Sequence, residues 1–254
     1  MSPQLEAATD VAAKRAKVVT LIQRKGGSGK STVTVNLAAV SGENNPPETP
    51  DDNCPVVAAG IDPQGSLEEW SRRVPEAKLP FDYVVTKGRL GEIPKLVEDP
   101  TVERIYIDTP GFMDTDPDAD LDADPLGTGR AAEAMKEVLE LTDLAVVPIT
   151  PDFLTHSPAE FTIERVLKPR GVKFVVLINM WDSGSDRLKN DLEELREWCR
   201  ERKYPFIKHG VRRYKIHAKA PKEGLTVIQY AESGTALRAR EDFYKLAIAV
   251  EQEI

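Results

Sequence analysis

The chain has 254 residues, a formal net charge of −8 and two cysteines, Cys54 and Cys199. That length suits one large α/β domain, while two cysteines are too few for a disulfide framework or a cysteine-built zinc site. No 18-residue apolar run is present, so no transmembrane helix is expected. The acidic balance excludes nucleic-acid binding by the surface as a whole and leaves it to a local basic patch.

Residues 1–17 read as a polar, Ala-rich extension without an apolar core ahead of a cleavage site. A frayed terminus on a cytoplasmic chain is expected, followed by a single domain over 18–254. Val18 to Gln23 is an apolar strand, and Ser31 to Val40 is helix-compatible and stops near Ser41–Gly42. Between them Lys25 to Thr32 reads K-G-G-S-G-K-S-T. Strand, glycine loop and helix start are the layout of a phosphate-binding loop. Gly26, Gly27 and Gly29 let the backbone around Ser28 turn tightly and aim its N–H groups at an anion. The helix N-terminus adds its dipole. In this layout Lys30 sits on the β- and γ-phosphates, Ser31 on Mg²⁺ and Thr32 near the α-phosphate. A glycine turn with incidental lysines is the alternative.

Ser41 to Pro55 is a solvated loop, and Pro55 to Ile61 is a short strand ending in I-D-P-Q-G-S. Asp62 stands at its C-terminal end, where a carboxylate in a parallel sheet faces the ligand side. Ser66 to Arg73 reads as a helix capped by Ser66 with Glu69 three residues on. A strand at Phe81 to Val85 and a helix at Leu90 to Glu98 follow. Glu103 to Asp108 is a strand closed by Asp108, a candidate Mg²⁺-holding carboxylate. Asp114, Asp116, Asp118, Asp120, Asp122 and Asp124 then alternate without the glycine and glutamate of a calcium loop, so a self-repelling solvated loop is expected. Helices are expected at Gly129 to Leu141, with Ala131, Met135, Val138 and Leu139 inward, at Ser157 to Leu167, and at Ser185 to Arg202. Strands are expected at Leu144 to Ile149, Lys173 to Asn179 and within Pro205 to Val211. Arg212 to Lys222 reads R-R-Y-K-I-H-A-K-A-P-K, placing Arg212, Arg213, Lys215, Lys219 and Lys222 together with no acid between them. Phosphate contacts need such positive charge and no base-reading geometry; a solvated basic loop is the alternative. Thr235 to Glu253 is a terminal helix with Leu237, Tyr244, Ala247, Val250 and Ile254 inward. Its acidic end disfavours a membrane anchor.

The loop departs from strict G-x-x-x-x-G-K-[ST]: Arg24 takes the place of the first glycine, and a second lysine, Lys25, precedes the glycine pair. It resembles the deviant Walker A loop of the ParA/MinD superfamily, whose signature lysine reaches the nucleotide of a partner subunit. D-P-Q-G at Asp62 to Gly65 is similar to the family's switch I, with Gly60 in place of its first Asp. Thr109 to Gly111 resemble switch II, and T-D-L-A-V-V-P-I-T-P is most like the small plasmid ParA proteins. The resemblance implies a mostly parallel twisted sheet with helices on both faces, and catalytic roles for Lys25, Lys30 and Asp62. It implies ATP and Mg²⁺ as cofactors, with Ser31 and Asp108 at the metal and Asn179 at the adenine edge. It implies a homodimer formed with ATP, nonspecific DNA bound through Arg212 to Lys222, and a nucleoid-associated location. Slow hydrolysis stimulated by a ParB-like partner would release the DNA. Two other functions fit the same resemblance: positioning a protein cargo on the nucleoid, and a nucleotide-gated interaction protein without DNA binding.

Overall fold

Strands that alternate with helices and are apolar on both faces pair in parallel, because each crossover helix covers a face. The computed structural model describes residues 15–49, 52–62, 65–74, 79–112, 124–184, 190–230 and 233–254. Its seven strands, β1 (Lys17–Leu21), β2 (Val56–Gly60), β3 (Asp82–Val85), β4 (Arg104–Asp108), β5 (Leu144–Ile149), β6 (Phe174–Trp181) and β7 (Val211–Arg212), form one sheet in the order β3-β2-β4-β1-β5-β6-β7. Every recorded pairing is parallel. The chain leaves β1 toward one edge and, after β4, crosses to the other side of β1. The C-terminal ends of β1 and β4 therefore flank the switch point, where open α/β sheets bind ligands. Their register sets Leu21 beside Asp108.

Period-two alternation sends the strand side chains into two cores. Val19, Leu21 and Tyr106 pack beneath α1 (Lys30–Asn44) and α8 (Gly234–Glu251), with Leu37, Phe243 and Val250. Val18, Ile105 and Ile107 pack beneath α3 (Glu92–Glu98), α4 (Arg130–Leu141) and α5 (His156–Phe161), with Ile93, Met135, Leu139 and Ala159. Two further helices are α2 (Ser66–Ser71) and α6 (Asn190–Glu201), and a single turn, α7 (Ile216–Lys219), lies in the basic stretch.

Several local expectations are corrected. Helix α1 runs past Gly42 to Asn44. Gly42 is not a stop signal: a Cβ there would meet the Pro80 carbonyl oxygen at 1.6 Å, so glycine permits α1 to approach the residues before β3. Gly65, in a left-handed conformation, occupies the N-cap of α2, and Ser66 is its first residue. Ala131 is exposed, and Ala132 and Ala134 face inward instead. The helix over 156–167 widens into a π turn at Thr162–Leu167. In α8 Leu237 and Tyr244 are exposed, and Ala239, Asp242, Phe243 and Leu246 face inward beside Ala247 and Val250. The inner stripe is displaced because a carboxylate, Asp242, is buried in it, paired with Arg212. Within the acidic stretch, Asp114, Asp116, Asp118, Asp120 and Asp122 lie outside the described residues. Asp124 is described and pairs with Lys136 and Arg170.

Candidate functional site

The loop between β1 and α1 is built around two glycines in the left-handed region, Gly27 (φ 79°) and Gly29 (φ 87°). Gly29 has a second reason to be glycine. A Cβ there would lie 2.4 Å from Asn179 Nδ2 and 2.7 Å from the Met180 methyl. Gly111 lets the segment after β4 lie against the same loop, within 3.1 Å of the Arg24 carbonyl oxygen for an added Cβ. Lys30, at the start of α1, is only 7% exposed and donates to the Gln23 carbonyl. Burial lowers its pKa, and the charges of Asp108 and Asp62 work against that.

Asp108 ends β4 directly below the loop and is 2% exposed. Burial pushes its carboxyl up to about 6, opposed by a hydrogen bond from Ser31 and by the Lys30 charge. Its Oδ1 and the Ser28 hydroxyl are buried without hydrogen-bond partners. An unpaired buried carboxylate oxygen is costly, and a divalent cation with oxygen preference is the natural partner for it. Asp62, beyond the end of β2, faces the same cavity; Ile61 N–H donates to the Asp108 carbonyl and ties the two strand ends together. The cavity, about 420 Å³, runs from Gly26–Thr32 and Asp62 to an apolar lobe of Val35, Leu67, Trp70, Pro221 and Leu225. Backbone N–H groups at a helix start, a buried lysine and an orphaned carboxylate form a donor set that fits a polyphosphate with its Mg²⁺.

Of the expected site residues, Gly26, Gly27, Gly29, Lys30, Ser31, Thr32 and Asp62 line this cavity together. Asn179 does not. Its Nδ2 donates to the Ser28 carbonyl at 2.8 Å and its Oδ1 accepts from Met180 N–H, so it braces the loop from behind, 3% exposed. Lys25 is not among the residues lining the cavity and pairs with Asp152 at 3.0 Å. Asp152 also caps the turn that carries the exposed Phe153 and Leu154. Pro63 and Gln64 of the D-P-Q-G block lie outside the described residues.

Sequence reasoning missed the apolar lobe. Trp70 gave no signal beyond an aromatic on a short helix, and Pro221 was read only as part of a basic segment. It also missed Thr162, whose hydroxyl accepts from Arg24 N–H and lies by Gln23 Oε1. That residue starts the π turn, a geometry frequent at functional sites.

The basic stretch divides. Arg212 is spent on the fold: its guanidinium forms a two-point pair with buried Asp242 and donates to the Arg238 carbonyl. Arg213, Lys215 and Lys219 are exposed around a second concavity of about 410 Å³ with Tyr230, Ser233 and Thr235. Lys222 is exposed outside that concavity. Among the described residues no helix is long and apolar enough to cross a membrane.

No family model matches the chain. A relative, the maintenance of carboxysome distribution protein A of Gloeobacter kilaueensis, is 29% identical over 238 residues, 93% of this chain and 95% of that protein. The chain is thus similar over nearly its whole length to a ParA-like protein. ParA/MinD proteins of solved structure share the fold at low identity. MinD of Pyrococcus horikoshii, in complex with Mg-ADP, has a TM-score of 0.64 at 16% identity, over 93% of this chain and 96% of that one. A putative plasmid partition protein of Borrelia burgdorferi, bound to AMPPNP, has 0.62 at 15%, over 94% and 100%. The parallel sheet and flanking helices of these proteins are shared by this chain.

Proposed function

We propose that this ParA-like protein is a Mg²⁺-dependent ATPase whose ATP-bound homodimer holds nonspecific DNA and positions a cargo along it. The observation that carries the reading is the glycine loop with two lysines set over a buried carboxylate oxygen that lacks a partner. Gly26 to Thr32 hold the phosphates, Lys30 neutralises them, and Ser31 and Asp108 hold the cation, which supplies charge neutralisation and orientation of the phosphate oxygens. Asp62 orients the attacking water. Lys25 leaves Asp152 on dimerisation and reaches the partner's nucleotide in the manner of an arginine finger. Arg213, Lys215, Lys219 and Lys222 contact DNA phosphates, which need charge and no base-reading geometry. Hydrolysis separates the dimer and releases DNA, and a partner protein accelerates it.

Two cargoes remain, and each has support. Partition of a DNA replicon with a ParB-like partner rests on the block from Thr142 to Pro151 and on the fold shared with the plasmid partition protein. A protein cargo rests on the near-full-length similarity to the carboxysome distribution protein. A partner that stimulates hydrolysis and binds a specific DNA site selects the first; one that binds a protein shell selects the second.

The test is anisotropy of random-sequence duplex at fixed low salt with ATP-Mg²⁺, ADP or no nucleotide, alongside Lys30→Ala and Arg213→Ala. The expected result is binding with ATP alone, lost in both variants and weakened by salt. Absence of binding in every nucleotide state contradicts the DNA reading and leaves a switch acting on a protein partner.

A further inference from the structure

The nucleotide cavity and the basic concavity share one wall. Ala220 and Pro221 line the first, while Lys215 and Lys219, a few residues earlier on the same short helical segment, line the second. The segment is held differently at its two ends. Upstream, Arg212 is locked to Asp242 on α8, and the His217 ring packs on Phe243 of the same helix. Downstream, the segment is held by α2. Gly224 (φ 68°) lies so close to the end of α2 that an added Cβ would meet the Arg73 carbonyl oxygen at 1.9 Å. One residue on, the Leu225 carbonyl accepts from the Trp70 indole at 3.4 Å. Trp70 is 6% exposed and wedged against Phe81, ring centroids 6.1 Å apart.

Helix α2 in turn is hung from the catalytic strand end. It starts four residues after Asp62, whose carbonyl accepts from Gly65 N–H. Its Leu67 sits on Gly60, where a Cβ would come within 3.1 Å of the Leu67 side chain. The small residue at position 60, where the family pattern has Asp, is thus the floor on which α2 rests.

We propose that Trp70 and Gly224 are positioning residues that transmit the state of the Asp62 strand end to the DNA-binding cations. Moving α2 relative to β2 drags the 220–225 segment, while the Arg212–Asp242 anchor stays fixed, and Lys215 and Lys219 are re-aimed. This rests on the nucleotide-gated DNA binding proposed above. Packed elements with two discrete arrangements carry such coupling, and its strength is measured by the difference in affinity between the two liganded states.

The experiment compares duplex-DNA affinity with a non-hydrolysable ATP analogue and with ADP, each with Mg²⁺ and each at a concentration verified as saturating by equilibrium dialysis. The proteins are wild type, Gly224→Ala and Trp70→Phe, the last keeping the ring packing without the indole N–H. Thermal melts establish that each is folded, and Trp70→Phe serves if Gly224→Ala is not. A further chain with Trp181→Phe and Trp198→Phe leaves Trp70 as the single tryptophan emitter. The expected result is an analogue-to-ADP affinity ratio at least about fivefold lower in the variants than in wild type, and a Trp70 emission that differs between the two nucleotides. Wild-type ratios in folded variants, or identical Trp70 emission in both states, overturn the coupling. A wild type that does not distinguish the nucleotides overturns the gating reading itself, and the coupling falls with it.

Discussion

Asp108 is buried and Arg212 half-buried, and the two charged residues do opposite things to the ligand-free fold. Asp108 has one oxygen with no partner, and its carboxyl is held at about 6, above the ordinary value near 3.8. A carboxyl whose folded pKa is raised is protonated in both states below pH 4. The stability it costs grows as pH rises from about 4 to 6 and is full above that. Asp108→Asn removes this burden, leaving Lys30 with one fewer counter-charge. The expected outcome is a ligand-free protein more stable by on the order of 1–2 kcal/mol at pH 7.5, with loss of Mg²⁺-dependent nucleotide binding. Thermal melts across pH check the sign: the advantage over wild type is small at pH 4, widens to pH 6 and then levels. Arg212 has its partner, so removing it strands Asp242. Arg212→Ala is expected to cost about 3 kcal/mol of stability, read by denaturant unfolding. Arg213→Ala is expected to leave stability within about 0.5 kcal/mol, since it is an exposed substitution. The two adjacent arginines thus separate folding from the proposed DNA contact. Lys25 belongs with neither. Its surface pair with Asp152 contributes little to stability, so Lys25→Ala is expected to melt like wild type and yet fail to dimerise with ATP, as followed by light scattering.

At the scale of elements, β1 to β6 were legible because apolar runs bounded by turn residues have few other interpretations in a chain of this length; the last strand, expected within Pro205 to Val211, is Val211–Arg212. The glycine loop was legible because strand, three glycines and lysine leave little else for the backbone to do. The faces of α8 were not. Its sequence offers two apolar stripes, and the choice between them depends on Asp242 being drawn inward by Arg212, 30 residues earlier. No helical periodicity encodes that partner. Phe243→Ala is expected to cost about 3–5 kcal/mol and Leu237→Ala about 0.5 or less, an ordering the alternative stripe reverses. Gly42 misled for a similar reason, since a close approach to Pro80 and a helix stop both call for glycine. Gly42→Ala is expected to lower the melting temperature by several degrees, because an added methyl has no room against a backbone carbonyl. Asn179 was expected to end its strand and to meet the adenine edge. The strand runs two residues past it, to Trp181, and the Asn179 amide faces the back of the loop rather than the cavity.

The molecule as a whole carries a net charge of −8, and the cations proposed to meet DNA, Arg213, Lys215, Lys219 and Lys222, lie on one short segment between β7 and α8. That segment also lines the candidate nucleotide cavity through Ala220 and Pro221. A protein that is acidic elsewhere repels DNA unless this segment is presented, and presentation on two aligned protomers multiplies a weak contact through effective concentration. The net affinity is then steeply salt-dependent and conditional on assembly. The most direct measurement of that account is sedimentation velocity with a labelled random-sequence duplex, following protein and DNA together. With ATP-Mg²⁺ the account predicts a two-chain species that carries the DNA, and with ADP a single chain that leaves the DNA sedimenting alone. A single chain in both states, or DNA carried equally in both, contradicts it.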